Sequence, residues 1–145
     1  IKGTSDTIIN PKTIWKEYHF KAKPGDIFRP HPIISPYHHR LDWQIWFATM
    51  SSYNQNPWLV HFIYKLLQND KQTLGLIKQN QFKSNAPNYI KADLYTYSLP
   101  KKSSKKSSKK VYWNRTFSKP YLPPLSKENT ELKKFLAHYG WVNNN

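Results

Sequence analysis

Cysteine is absent from the 145 residues, which excludes disulfides, thiolate catalysis and cysteine metal sites and leaves the redox state of the compartment open. Glycine is scarce, with four residues in all. They form neither the glycine-rich loop that cradles phosphates nor a Gly-x-Ser-x-Gly nucleophile elbow. Serines, histidines and carboxylates occur, but in no spacing that assembles a catalytic site, so the chain reads as a non-enzyme with no implied cofactor. No run of about 18 apolar residues appears, nor a basic-then-apolar leader, so this stretch is expected neither to span a membrane nor to carry its own signal. Acidic residues are few as well: eight against 23 lysines and arginines, for a formal net charge of +15. Six of those lysines lie in one Lys/Ser tract at residues 101–110, and +9 remains without them. A basic surface attracts polyanions such as nucleic acid, anionic lipid or an acidic partner, and charge alone does not choose among them.

Large rings are plentiful. Aromatics make up 16% and all apolar residues 38%, enough for a core in a chain whose length suits one domain, spanning 1–145. A domain of this size buries roughly two-thirds of its unfolded surface.

Residues 15–22 alternate, with Tyr18, Phe20 and Ala22 on one side and Glu17, His19 and Lys21 on the other, before Pro24-Gly25-Asp26 turns the chain. Pro30, Pro32 and Pro36, with Pro24 just outside, make residues 27–39 an extended loop. From Leu41 the period changes: Trp43, Trp46, Phe47 and Met50 fall on one helical stripe, which predicts a first helix with that face on the core. Asn56-Pro57 starts a second helix carrying Leu59, Phe62, Ile63, Leu66 and Leu67. Asn69-Asp70 can cap a short third one with Leu74 and Ile77. Period two returns at residues 89–97, where Ile90, Ala92 and Leu94 oppose Tyr89, Tyr95 and Tyr97, and again at 111–117. The Lys/Ser tract between them reads as the flexible, solvated tip of an antiparallel hairpin. Leu132, Phe135, Leu136 and Tyr139 predict a last helix that Gly140 can close. The fold class is α+β: a small antiparallel sheet of at least three strands packed with three or four helices. Because Ile1 stands inside what reads as a strand, we expect a piece of a longer protein, with upstream strands possible.

Several segments together resemble the lipase maturation factor family, in the family's order and over nearly the whole chain. They are Trp15-Lys16-Glu17-Tyr18-His19-Phe20-Lys21 with Pro24-Gly25-Asp26, the block Arg40-Leu41-Asp42-Trp43-Gln44-Ile45-Trp46-Phe47, and Asn56-Pro57-Trp58. Ile90-Lys91-Ala92-Asp93-Leu94-Tyr95-Thr96-Tyr97, Tyr112-Trp113-Asn114-Arg115 and Tyr121-Leu122-Pro123-Pro124-Leu125 complete the set. The departures are His39 in place of a proline, Asn80-Gln81-Phe82 in place of Asn-Pro-Phe, and the Lys/Ser tract. The resemblance implies the soluble carboxy-terminal part of a membrane protein of the endoplasmic reticulum, facing the lumen. Its clients would be secreted lipases of the lipoprotein lipase type, whose folding and dimer assembly it assists without catalysis.

Each motif carries a plainer reading beside the functional one. Arg40, Trp43, Trp46 and Phe47 could anchor a client, since arginine and tryptophan favour interfaces, but their spacing favours the core, with Asp42 suiting the helix dipole and pairing with Arg40. Asn114-Arg115-Thr116 is a glycosylation sequon, and in the strand pattern Asn114 points to water. His31, His38 and His39 with Asp42 carry metal-ligand chemistry, yet adjacent histidines in a proline-rich loop rarely converge, and no metal site is expected. The Lys/Ser tract can contact polyanions weakly or simply be solvated. The alternative function is a basic aromatic nucleic-acid-binding module, with stacking on Tyr89, Tyr95, Tyr97, Tyr112 and Trp113, although no recognisable RNA-binding motif accompanies those rings. A purely structural domain is a third reading.

Overall fold

Each alternating stretch forms a strand of one antiparallel sheet in the computed structural model, which describes residues 1–33, 36–83, 85–100 and 110–142. The strands β1 (Lys2–Thr4), β2 (Lys16–Glu17), β3 (Tyr89–Ser98) and β4 (Asn114–Leu125) lie in the order β2-β1-β3-β4. The ladder at β2 is shorter than the alternation suggests, but the faces are as expected, with Tyr18, Phe20 and Ala22 all buried. β3 and β4 make the long hairpin, from Ser98 opposite Asn114 to Ile90 opposite Leu125. The Lys/Ser tip expected between them lies, apart from Lys110, outside the described residues.

β4 departs from the sequence pattern. It begins at Asn114 rather than at Val111 and continues through Pro120, Pro123 and Pro124 to Leu125. Proline cannot donate to a ladder, so such a strand is tolerated at a sheet edge, where β4 lies. The pairing slips between Ile90 and Ala92, between Ala92 and Asp93, and between Leu94 and Tyr95, and each slip places an extra residue on the proline-bearing strand.

The helices are α1 (Arg40–Ala48), α2 (Pro57–Leu67), α3 (Lys71–Leu76) and α4 (Thr130–His138), with a 3-10 turn at Tyr53–Gln55. Pro57 occupies the first turn of α2, where its missing N–H costs nothing. Asn56 stands at the cap position without capping: its amide Nδ2 donates to Ser51 Oγ at 2.7 Å and Ser52 O at 2.9 Å. Asp70 and Asn129 do cap, accepting from Thr73 N and Leu132 N at 2.9 Å each. α4 ends where Gly140, at φ +68°, takes the left-handed conformation that closes a helix.

α2 is the hub of the core. Leu59, Val60, Phe62, Ile63, Leu66 and Leu67 are all buried, against Tyr18, Phe20, Ile90 and Leu122 from the sheet side and Leu132 and Leu136 from α4. β1 reaches this core only because Gly3 has no side chain. A Cβ there would stand 2.9 Å from Phe82 Cε2 and 3.2 Å from Pro87 Cβ.

Candidate functional site

α1 sits the other way round from the orientation its stripe predicts. Asp42, Ile45 and Ala48 face inward and are buried, while Trp43, Trp46, Phe47 and Met50 are 50%, 50%, 47% and 65% exposed. The aromatic stripe is therefore a surface and not a core face. Two ties far apart in the chain decide this. Asp42 Oδ1 accepts the backbone N–H groups of Ala22 and Lys23, both at 2.7 Å, and the Tyr121 hydroxyl donates to Ala48 O at 2.7 Å. The expected Asp42–Arg40 pair does not form; the carboxylate serves the 22–23 turn instead. Outside, Trp43, Trp46 and Phe47 form a three-ring cluster with centroids 5.3 to 5.4 Å apart. His38 lies 6.1 Å from Trp43. Apolar rings grouped on a surface beside a cavity are a site for association, because covering them removes apolar area from water.

Beneath this helix is a cavity of about 470 Å³. Asp42, Ile45 and Ala48 of α1 line it from one side, Leu94, Tyr95 and Tyr97 of β3 from another, and Arg115 and Tyr121 of β4 from a third. Trp43, Trp46, His31, His38 and His39 stand along its wall and mouth. Among the described residues no group of three or more histidines, cysteines or carboxylates is placed to hold a metal ion.

The floor is held by charge. Glu17 of β2 and Arg115 of β4 join through two hydrogen bonds of 2.8 Å, and Arg115 stacks over the Tyr95 ring at 3.8 Å. Burial opposes the charge on Glu17, yet the Arg115 guanidinium outweighs it and holds the carboxyl below its usual pKa. Lys2 pairs with Asp93 at 3.1 Å and donates to Tyr95 Oη at 2.5 Å. The loop between β2 and α1 is stapled in the same region. Arg29 donates to the carbonyls of Phe20, Lys21 and Lys23, and Trp113 Nε1 donates to Arg29 O at 3.0 Å.

Several segments singled out in the sequence thus meet in space: 15–21 through Glu17, 40–47 through Asp42, 112–115 through Trp113 and Arg115, and 121–125 through Tyr121. Asn56 joins them at the rim, its Nδ2 3.4 Å from the Tyr121 hydroxyl, while Trp58 packs partly buried on the core. Arg40 is exposed, Leu41 packs against the core and Gln44 is half-buried. The sequence reading undervalued Glu17, Arg115 and Tyr121. Their only signal was membership of a family-like segment, since each acts on a residue distant in sequence. The rings proposed for stacking on nucleic acid do not form an open platform: Tyr95 is covered by Arg115 and Lys2, and Trp113 is anchored to Arg29. Asn114 is exposed at the first position of β4.

Fold and site define an α+β domain whose most distinctive surface is a helix face of aromatic rings above an apolar cavity. The chain belongs to the lipase maturation factor family: the family model described as lipase maturation factor C-terminal domain matches residues 1–123. It is 38% identical over 143 residues to lipase maturation factor 1 of Bos taurus, covering 97% of this chain and 25% of that protein. To lipase maturation factor 1 of Homo sapiens it is 36% identical, with the same coverage. To lipase maturation factor 2 of Xenopus laevis it is 32% identical over 130 residues, covering 87% of this chain and 18% of that protein. The chain spans about a quarter or less of the length of these relatives. No solved structure matches it. Among the described residues no helix is long and apolar enough to cross a membrane.

Proposed function

We propose that this chain is a lumenal, non-catalytic domain of an endoplasmic reticulum membrane protein, and that it engages secreted lipases of the lipoprotein lipase type while they fold and assemble into dimers. Membership of the family, whose relatives are named for lipase maturation, supports the client. The observation that carries a binding role is the half-exposed cluster of Trp43, Trp46 and Phe47, extended by Met50. Aromatic side chains offer a partner large apolar area at small entropic cost, so a cluster of three is a strong anchor. The nucleic-acid reading has no comparable surface behind it. A lumenal position also suits Asn114, whose sequon lies exposed at a strand end; we assign it as an N-glycosylation site in the secretory pathway.

The test is secretion of active lipoprotein lipase from cells lacking their own maturation factor. Rescue by the full-length parent protein, failure of a version lacking residues 1–145, and failure of one carrying Trp43→Ser, Trp46→Ser and Phe47→Ser together are the expected results. Equal rescue by all three at matched abundance removes the role from this domain and leaves it a structural one. Loss of a glycan-dependent mobility shift on Asn114→Gln, in the same cells, checks the lumenal orientation separately.

A further inference from the structure

The charges around the cavity cancel unevenly. Glu17 is paired with Arg115, and Asp93 with Lys2 at 3.1 Å and Lys91 at 3.8 Å. Two groups of opposite sign are left over. Asp42, 5% exposed, uses Oδ1 for the amides of Ala22 and Lys23, and its Oδ2 has no hydrogen-bond partner. The Lys23 ammonium donates only to Pro24 O, at 2.9 Å, and faces the Phe20 ring at 5.7 Å. No carboxylate among the described residues lies within ion-pair distance of it. Burial makes its charge costly and lowers its pKa. Of the buried side-chain polar atoms that lack a hydrogen bond, Asp42 Oδ2, Tyr97 Oη and Arg115 Nε all belong to residues lining this one cavity, Tyr18 Oη being the exception.

An occupant has to satisfy an acceptor and donors together. A carboxylate would suit Lys23 and be repelled by Asp42, and an amine would do the reverse. An amide carries an N–H and a C=O on one planar, uncharged unit and meets both demands. The remaining wall, with Ile45, Leu59, Leu94, Trp43 and Trp46, is apolar, and the volume of about 470 Å³ is ample for a large side chain and its flanking backbone. We propose that this cavity receives an uncharged, extended segment of polypeptide with a large apolar side chain, its backbone amide bridging Asp42 and Lys23 and its side chain filling the apolar wall. The inference deepens the proposed lipase-engaging role and rests on it, by giving the chemistry of the client segment held.

The test is calorimetric titration of the purified protein with a capped peptide, acetyl-Ala-Phe-Ala-amide, with the same peptide carrying free charged termini, and with oleate. The capped peptide is expected to bind most tightly. Lys23→Met removes a hydrogen bond to a charged group and should weaken it about tenfold, and Leu94→Phe, which fills the cavity from β3, by at least about as much. Both variants should keep the parent circular dichroism spectrum and Tm. Undiminished binding to both variants, tighter binding of oleate, or no measurable binding of the peptide overturns the proposal. Capture of lipase by the same proteins separates the two readings. If Leu94→Phe and Lys23→Met still capture lipase and the Trp43→Ser, Trp46→Ser pair does not, the outer rings act without the cavity and only this inference falls. If none of these variants changes capture, the client-binding role falls with it.

Discussion

Glu17 and Arg115 stand 98 positions apart and on the two outer strands of the sheet, yet their side chains meet in a bidentate pair with both bonds at 2.8 Å. The pair closes the floor beneath α1. Both side chains are only about a fifth exposed, 21% for Glu17 and 19% for Arg115, so solvent screens the interaction weakly.

Its pH dependence has a definite sign. Glu17 titrates below its ordinary value of 4.5 in the folded chain, so the stability it contributes is complete above that value and is lost as pH falls through the lower folded pKa. Glu17→Gln should cost on the order of 2 kcal/mol at pH 7 and flatten the stability curve below about pH 5. Urea titrations of both proteins between pH 3 and 7 check this; parallel curves would mean that the pair contributes nothing on acidification.

Asp42 is the tie that turns α1. Asp42→Ala leaves two amide N–H groups of the 22–23 turn without their acceptor, and a loss of about 3 kcal/mol is expected. Asp42→Asn keeps an acceptor oxygen and should cost less. Chemical denaturation of the two variants side by side gives the comparison.

The outer rings of α1 give the opposite expectation. A tryptophan in a core costs about 3–5 kcal/mol on truncation, whereas Trp46→Ser on this half-exposed face should cost about 1 kcal/mol and leave the fold intact. A core-sized loss on thermal melting would restore the buried stripe that the periodicity predicts.

Gly3 is held to glycine by the Phe82 ring. Gly3→Ala should destabilise by about 1–3 kcal/mol through overpacking, and Phe82→Leu in the same chain should recover part of that loss by clearing the space. The double-mutant cycle measures the coupling.

Much of the secondary structure was legible because it is written locally. Pro57, Asp70 and Gly140 mark helix boundaries by their own backbone chemistry, and the alternation of Tyr18, Phe20 and Ala22 names a buried face wherever that strand lies. The end of β4 was not legible, since prolines read as breakers unless the strand is known to lie at an edge.

The sequence by itself determined the α+β class, the helix starts, the basic charge and the family, because each is a property of neighbouring residues or of residue order. Tertiary structure alone decided which side of α1 faces water. A helical period offers a tryptophan stripe and an Asp42-Ile45-Ala48 stripe alike, and hydrophobicity favours the first. The choice fell to hydrogen bonds from Ala22, Lys23 and Tyr121, whose distance along the chain leaves no trace in any local pattern.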